Sequence, residues 1–219
     1  MAAGLAVAGW LPGGGTRSRA SARAGAAEAG SAPAGSAPAE AFLAAWRAHL
    51  SSTWSVDQVE DRTTDAGAHL RLAVHEAQRP PDRVRTGLGS VDARRGSTLI
   101  ACASASSVPL CRTERASGSW QEAADAEISG LRGALTGNTA VYSVAASGPG
   151  CFQFTLRRPA AVVPVTFGRG ARYCLDPSSG AVLSSTVERV GAVDTLTTVE
   201  HHSPATDADL ALPTDARYG

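Results

Sequence analysis

The side chains of this 219-residue sequence able to bind a metal, move a proton or attack a carbonyl include five histidines, four cysteines and several close-set acidic and seryl residues. His201 and His202 are adjacent, and neighbours on a strand face opposite sides, so their imidazoles do not share one metal. His69 and His75 fall on one face of a strand-like run, but six residues span roughly 20 Å there, too far for joint ligation. Asp207 and Asp209 alternate with small residues, whereas a calcium loop needs more oxygen ligands at set positions. A nucleophilic serine would announce itself as G-x-S-x-G or S-x-x-K. The first is absent, and the chain contains no Lys. Gly87-Leu88-Gly89-Ser90 lacks the following helix and the further glycine that a phosphate cradle requires, and it reads as a turn. No catalytic residue, metal site or cofactor is expected.

Cys102, Cys111, Cys151 and Cys174 are even in number and contain no C-x-x-C pair, which favours two disulfides over zinc. Four cysteines allow three pairings. Cys102 and Cys111 flank a short loop containing Ser106, Ser107 and Pro109. Cys151 and Cys174 lie in CFQFTL and RYCLD, where Phe152, Phe154, Leu156, Tyr173 and Leu175 alternate with them. Period two puts both cysteines on the face opposite those apolar side chains, so 102–111 with 151–174 is the favoured pairing. Disulfides persist in oxidising compartments. The domain is therefore expected outside the cytoplasm.

The elements that would carry these residues follow from hydrophobic spacing. Phe42, Leu43, Trp46 and Leu50 form one face of a helix over 39–51, with Arg47 and His49 elsewhere on the cylinder. Val56–Arg62 and Ala68–Glu76 read as a hairpin about Asp65-Ala66-Gly67, with Leu70, Leu72 and Val74 alternating against His69, Arg71, Ala73 and His75. Short strands are expected at 84–86, 90–94 and 98–103, then a helix at 121–135 carrying Ile128, Leu131 and Leu135. Further strands are expected at 140–146, 151–157, 171–176, 182–190 and 196–202, with Gly191–Asp194 as a reversal. Arg79-Pro80-Pro81-Asp82-Arg83 reads as a bend between strands, since proline donates nothing to a ladder. Its two arginines could also flank a pocket rim for a lipid headgroup. Many strands, short turns and two helices describe an α+β domain, an antiparallel meander whose open face the helices cover.

The charge balance of 20 basic and 20 acidic residues, with arginines scattered and aromatics at 5%, excludes a nucleic-acid role. Residues 1–12 are apolar but too short for a membrane span. They read as the remnant of a signal peptide or membrane anchor whose beginning lies upstream. Residues 13–38, rich in Gly, Ala, Ser and Pro, read as a disordered linker. The domain is expected over 39–213, with a tail at 214–219.

This order of elements resembles the LolA/LppX-like lipoprotein-carrier superfamily. AEAFLAAWRAHLSS is similar to its opening helix, and VEDRTTDAGAHLRLAVHEAQRPPDRVRTG to its first hairpin and following strand. LDPSSGAVLSSTVER resembles its turn-and-strand pair, and DADLALP its closing segment. The cysteines in CFQF and YCLD, with RPPDR, resemble an exported actinobacterial branch. The resemblance implies a curved antiparallel half-barrel plugged by helices, binding a lipid, acyl chain or lipidated protein without catalysis. Leu70, Leu72, Val74, Phe152, Phe154 and Leu156 would line that pocket. The alternative it implies, after the carrier, is that of RseB-like relatives, a membrane-tethered module that recognises a protein partner and has no ligand cavity. A monomer is expected in either case. The chain departs from the lipidated members in lacking an N-terminal Cys, and many of its apolar positions are Ala.

Overall fold

A computed structural model describes residues 36–103, 109–157, 166–213 and 217–218. The expected anchor remnant (1–12), most of the linker, and Ser106 and Ser107 of the Cys102–Cys111 loop lie outside the described residues. Helix α1, Ser36–Ser51, begins three residues before the expected Ala39. Pro38 is accommodated because first-turn amides have no intrahelical acceptor to lose. The buried face of α1 carries Ala39, Phe42, Leu43, His49 and Leu50.

Two meanders follow. The first comprises β1 Trp54–Thr64, β2 His69–Arg79, β3 Asp82–Gly87, β4 Ser90–Arg95, β5 Thr98–Ala103 and β6 Leu110–Arg115. The second comprises β7 Tyr142–Gly148, β8 Cys151–Leu156, β9 Gly170–Leu175, β10 Val182–Glu188 and β11 Ala192–His202. Helix α2, Trp120–Leu135, connects them and starts at a capping box in which the Ser119 side chain and Glu122 satisfy each other's backbone N–H groups. The meanders join where β1 pairs antiparallel with β11, giving one open, curved twelve-stranded sheet in the order β12-β6-β5-β4-β3-β2-β1-β11-β10-β9-β8-β7. Since β6 and β7 lie towards opposite edges, α2 links the two ends of the sheet. Residues 217–218, read as tail from sequence, form β12 in parallel beside β6.

Two local readings are corrected, and the proline bend stands as read. Residues 110–115 are the strand β6, so Cys102 and Cys111 sit directly opposite each other on paired strands. The charged sequence of β6 is suited to a strand near a sheet edge, where little of it needs to be buried. Ala192–Asp194, expected in a reversal, already belong to β11, leaving a tighter turn at Val190-Gly191. Pro80 and Pro81 lie at the β2–β3 turn, outside the hydrogen-bonded strands.

The sheet buries its two halves against different covers. On the helix face, α1 packs over β7–β10 in a cluster of Phe42, Leu43, Tyr142, Val144, Phe152, Phe154, Phe167 and Leu175. On the outer face, Ala77, Val84, Val91, Ile100, Cys102 and Cys111 of the first meander lie beneath Ala205 and Leu210 of the segment after β11. The carbonyls that α1 leaves unpaired at its C-terminus are taken by side chains from three other elements. His49 O accepts from Trp54 Nε1 at 3.0 Å and Gln78 Nε2 at 2.6 Å, and Leu50 O accepts from Trp120 Nε1 at 2.9 Å. At the β9–β10 turn, Gly180 has φ +70°, and a Cβ there would lie 2.3 Å from the His49 amide nitrogen. Only glycine lets that turn approach α1 so closely.

Candidate functional site

The six side chains expected to line a pocket all belong to the helix face, but to two separate regions of it. Phe152, Phe154 and Leu156 alternate along β8 beneath α1. Phe154 is fully buried, its ring stacked on Phe167 at 4.2 Å between centroids and edge-on to Phe42 at 4.7 Å. Phe152 meets Phe42 edge-on at 5.4 Å. The space over β8 is thus occupied by aromatic rings of the chain itself. Leu70, Leu72 and Val74 lie on β2, separated from β8 by the four strands β1, β11, β10 and β9. Val74 is buried, whereas Leu70 and Leu72 are half-buried.

Around that second group the helix face is polar. Register places Glu60 opposite Leu72 and Arg62 opposite Leu70 on β1, and Arg85 opposite Glu76 on β3. Arg85 bridges Glu60 and Glu76, and Arg83 also binds Glu76. Across the seam, Arg62 pairs with Asp194, which also holds Arg189 at 2.8 Å. Burial alone would raise the Glu76 carboxyl pKa, but the Arg83 and Arg85 guanidinium groups outweigh it and hold the value below its usual range. Asp194 is lowered in the same way by Arg62 and Arg189, against burial. Tyr173 lies between the two regions, packed against Phe154 and Phe167 and close enough to feel Arg189 and Asp194. Burial pushes its phenol up to about 12. Glu76 and Asp194 thus stay ionised at neutral pH and are committed to arginines, an arrangement that fixes a surface and does not poise either as an acid or base.

His49, placed off the apolar face by sequence, is buried between the Trp46 and Trp54 rings, each 4.8 Å from its own. It follows Trp46 by three positions and therefore shares that face. Its Nδ1–H donates to Gly180 O at 3.0 Å, and burial lowers its pKa to about 4. The other histidines are dispersed: His69 meets Asp61, His75 meets Asp57, and His202 meets Glu200. His201 lies 3.1 Å from Ser179 Oγ, among the described residues the one Ser–His contact with a carboxylate beside it. That hydroxyl donates its proton to Asp176 Oδ2 at 2.8 Å and accepts from the Ala181 amide at 3.2 Å. His201 Nε2–H is then a donor to it, the reverse of what nucleophile activation requires. Asp176 instead closes the turn: burial would raise its pKa, but hydrogen bonds from Ser178 and Ser179 bring it to about 2. Among the described residues no three His, Cys, Asp or Glu side chains group as a metal site.

Arg79 and Arg83, imagined together at one rim, point to opposite faces of the sheet. Arg79 pairs with Asp207 on the outer side and Arg83 with Glu76 on the helix side. A pocket of about 140 Å³ lies where the α1 C-terminus, the Pro80 turn and the first half of α2 meet, walled by Leu50, Pro80, Trp120 and Ile128, with Arg47 and Asp125 also lining it. Both disulfides, Cys102–Cys111 and Cys151–Cys174, bridge opposed residues of neighbouring strands on the outer face. The arginine–carboxylate lattice has no local sequence signal, since its members come from β1, β2, β3, β11 and the turn before β11. Only the register brings them together.

No family model matches the chain, and no curated protein matches it. Among solved structures it is similar to a LolA superfamily protein from Nitrosomonas europaea, at 10% identity and a TM-score of 0.33 over 80% of this chain and 97% of that one. It is similar to MucB at 14% identity and a TM-score of 0.45, over 83% of this chain and 65% of that one. It is also similar to the lipoprotein LppX of Mycobacterium tuberculosis, at 13% identity and a TM-score of 0.36, over 76% and 98%.

Proposed function

We propose that this chain is a non-catalytic extracytoplasmic binding domain that meets a protein partner across the helix face of β1–β3 and β11, acting as a surface and not as a container. The observation that carries the reading is the division of that face. Its large aromatic side chains are consumed by packing under α1. The remainder presents half-buried Leu70, Leu72 and Leu196 among the Glu60, Arg85, Arg62 and Asp194 ion pairs. Apolar contacts flanked by paired charges suit a polypeptide, whose side chains can match both. Enclosure of a lipid tail calls for a largely apolar cavity of roughly 300–1,000 Å³. The pocket beside α2 holds about 140 Å³. The two disulfides support an oxidising compartment. The carrier reading would instead lay an acyl chain along Leu70, Leu72 and Val74.

Native mass spectrometry of gently purified protein, combined with a benzophenone photocrosslinker in place of Leu72 in the producing cells, separates the two. The expected result is a ligand-free mass, no saturable uptake of a fluorescent fatty acid, and a discrete protein adduct at position 72. A co-purifying lipid, or saturable fatty-acid uptake blocked at position 72, would overturn the proposal in favour of the carrier.

A further inference from the structure

Residues 203–213, between β11 and the segment leading to β12, run as a strap over the outer face of the first meander. Ala205 and Leu210 are buried there against the cluster containing Ala77 and Val84, and Ser203 Oγ donates to Thr53 O at 3.1 Å. A Thr206–Asp209 turn shapes the strap, with the Asp209 carboxylate accepting from the Thr206 amide at 2.6 Å and its hydroxyl at 2.7 Å. His75, on the outer face of β2, joins sheet and strap. Its Nδ1 lies 2.8 Å from Asp57 Oδ1 on β1, and its Nε2 lies 2.9 Å from the backbone carbonyl oxygen of Asp209.

Both partners are acceptors only, and a neutral imidazole carries one N–H. The observed pair of bonds therefore exists only for the imidazolium. We propose that His75 is a proton-operated latch: charged, it ties the strap to the sheet, and neutral, it must release either Asp57 or the strap. The groups around it are acidic or already matched. β1 presents Asp57, and the strap presents Asp209 and Asp207. Arg79 on its own strand is paired with Asp207 at 2.7 Å. Beyond β1, Glu200 of β11 is engaged by His202 at 2.9 Å. β3 places the uncharged Thr86 opposite. The Arg79–Asp207 pair is too exposed to hold the strap by itself.

Burial pulls the His75 pKa down, but the bonds to the Asp209 carbonyl and Asp57, with the charge of Asp57 and Asp209, lift it above its ordinary 6.5. A raised value means the stabilisation is complete below pH 6.5 and is lost as pH rises through the folded-state value. The strap is tight in acid and looser in alkali.

Proton NMR of the His75 ring and amide hydrogen exchange of the strap, both followed on the full chain from pH 5.5 to 8.5, test this. The ring is expected to titrate above pH 6.5. Strap protection, corrected for intrinsic exchange, should fall about fivefold over the same interval, the worth of one hydrogen bond, while β1 and β2 keep theirs. His75→Gln should flatten the strap's response. A ring that titrates at or below 6.5, strap protection that ignores the titration, or a step that survives in His75→Gln would overturn the latch. Should His75→Gln fail to fold, the wild-type titration decides alone, and Asp57→Asn, expected to lower the ring's midpoint, repeats the test.

Discussion

His49 and His75 hold the same ring in opposite circumstances, and the difference sets how the protein responds to acid. His49 gives its one N–H to Gly180 and is otherwise enclosed by Trp46 and Trp54, so folding disfavours its charged form. Burial, assisted by the nearby Arg83, lowers its pKa from 6.5 to about 4. Below pH 6.5 the unfolded chain takes a proton that the folded chain refuses. Stability must therefore decline as pH falls from 6.5 to about 4, and the accumulated loss is about 3 kcal/mol. Urea unfolding at pH 7 and pH 4 measures it. The wild type should lose about 3 kcal/mol more on acidification than His49→Asn, which keeps a donor for Gly180 but does not titrate. Equal acid losses in the two proteins would show that His49 does not act in this way.

At the level of elements, the disulfides reinforce pairings that the ladders already make. Each joins directly opposed residues, with sequence separations of 9 and 23. Loop-closure arguments give about 3 kcal/mol for each, slightly more for the longer. Thermal unfolding of Cys102→Ala/Cys111→Ala and of Cys151→Ser/Cys174→Ser should show losses of that size, the second somewhat larger. A variant as stable as the parent would mean that its bridge adds nothing to the ladder. The strands carrying Cys151 and Cys174 were legible because CFQFTL and RYCLD alternate strictly, and α1 and the β1–β2 hairpin were legible for similar reasons. β6 was not, because Leu110-Cys111-Arg112-Thr113-Glu114-Arg115 buries only Cys111 and so lacks an apolar rhythm. His49 was misplaced because its polarity concealed its position three residues beyond Trp46. The ion pairs among Glu60, Glu76, Arg83 and Arg85 were invisible to any local pattern, since strand register alone decides which charges face one another.

For the whole molecule, the β1–β11 seam is the decisive contact. Apart from β12, every strand pairing except this one joins strands that follow each other in the chain, or that follow after a single loop. Arg62 and Asp194, paired across the seam, are 132 positions apart. Closing so long a loop is entropically costly and slow, so the two meanders should form before they meet. Pulse-labelled hydrogen exchange during refolding should show amides of β2–β5 and β8–β10 protected ahead of those bonded between β1 and β11. Simultaneous protection would indicate that the seam belongs to the folding nucleus.

That late junction bears on how the polypeptide survives its own synthesis. A ribosome or translocation pore delivers Trp54–Thr64 long before Ala192–His202. Throughout that delay one long border of backbone amides and carbonyls has no neighbour, the situation in which chains stick to one another edge to edge. Asp57, Glu60, Asp61 and Arg62 crowd four charges onto that waiting border. They would keep a half-made copy in solution until the rest of the chain arrives.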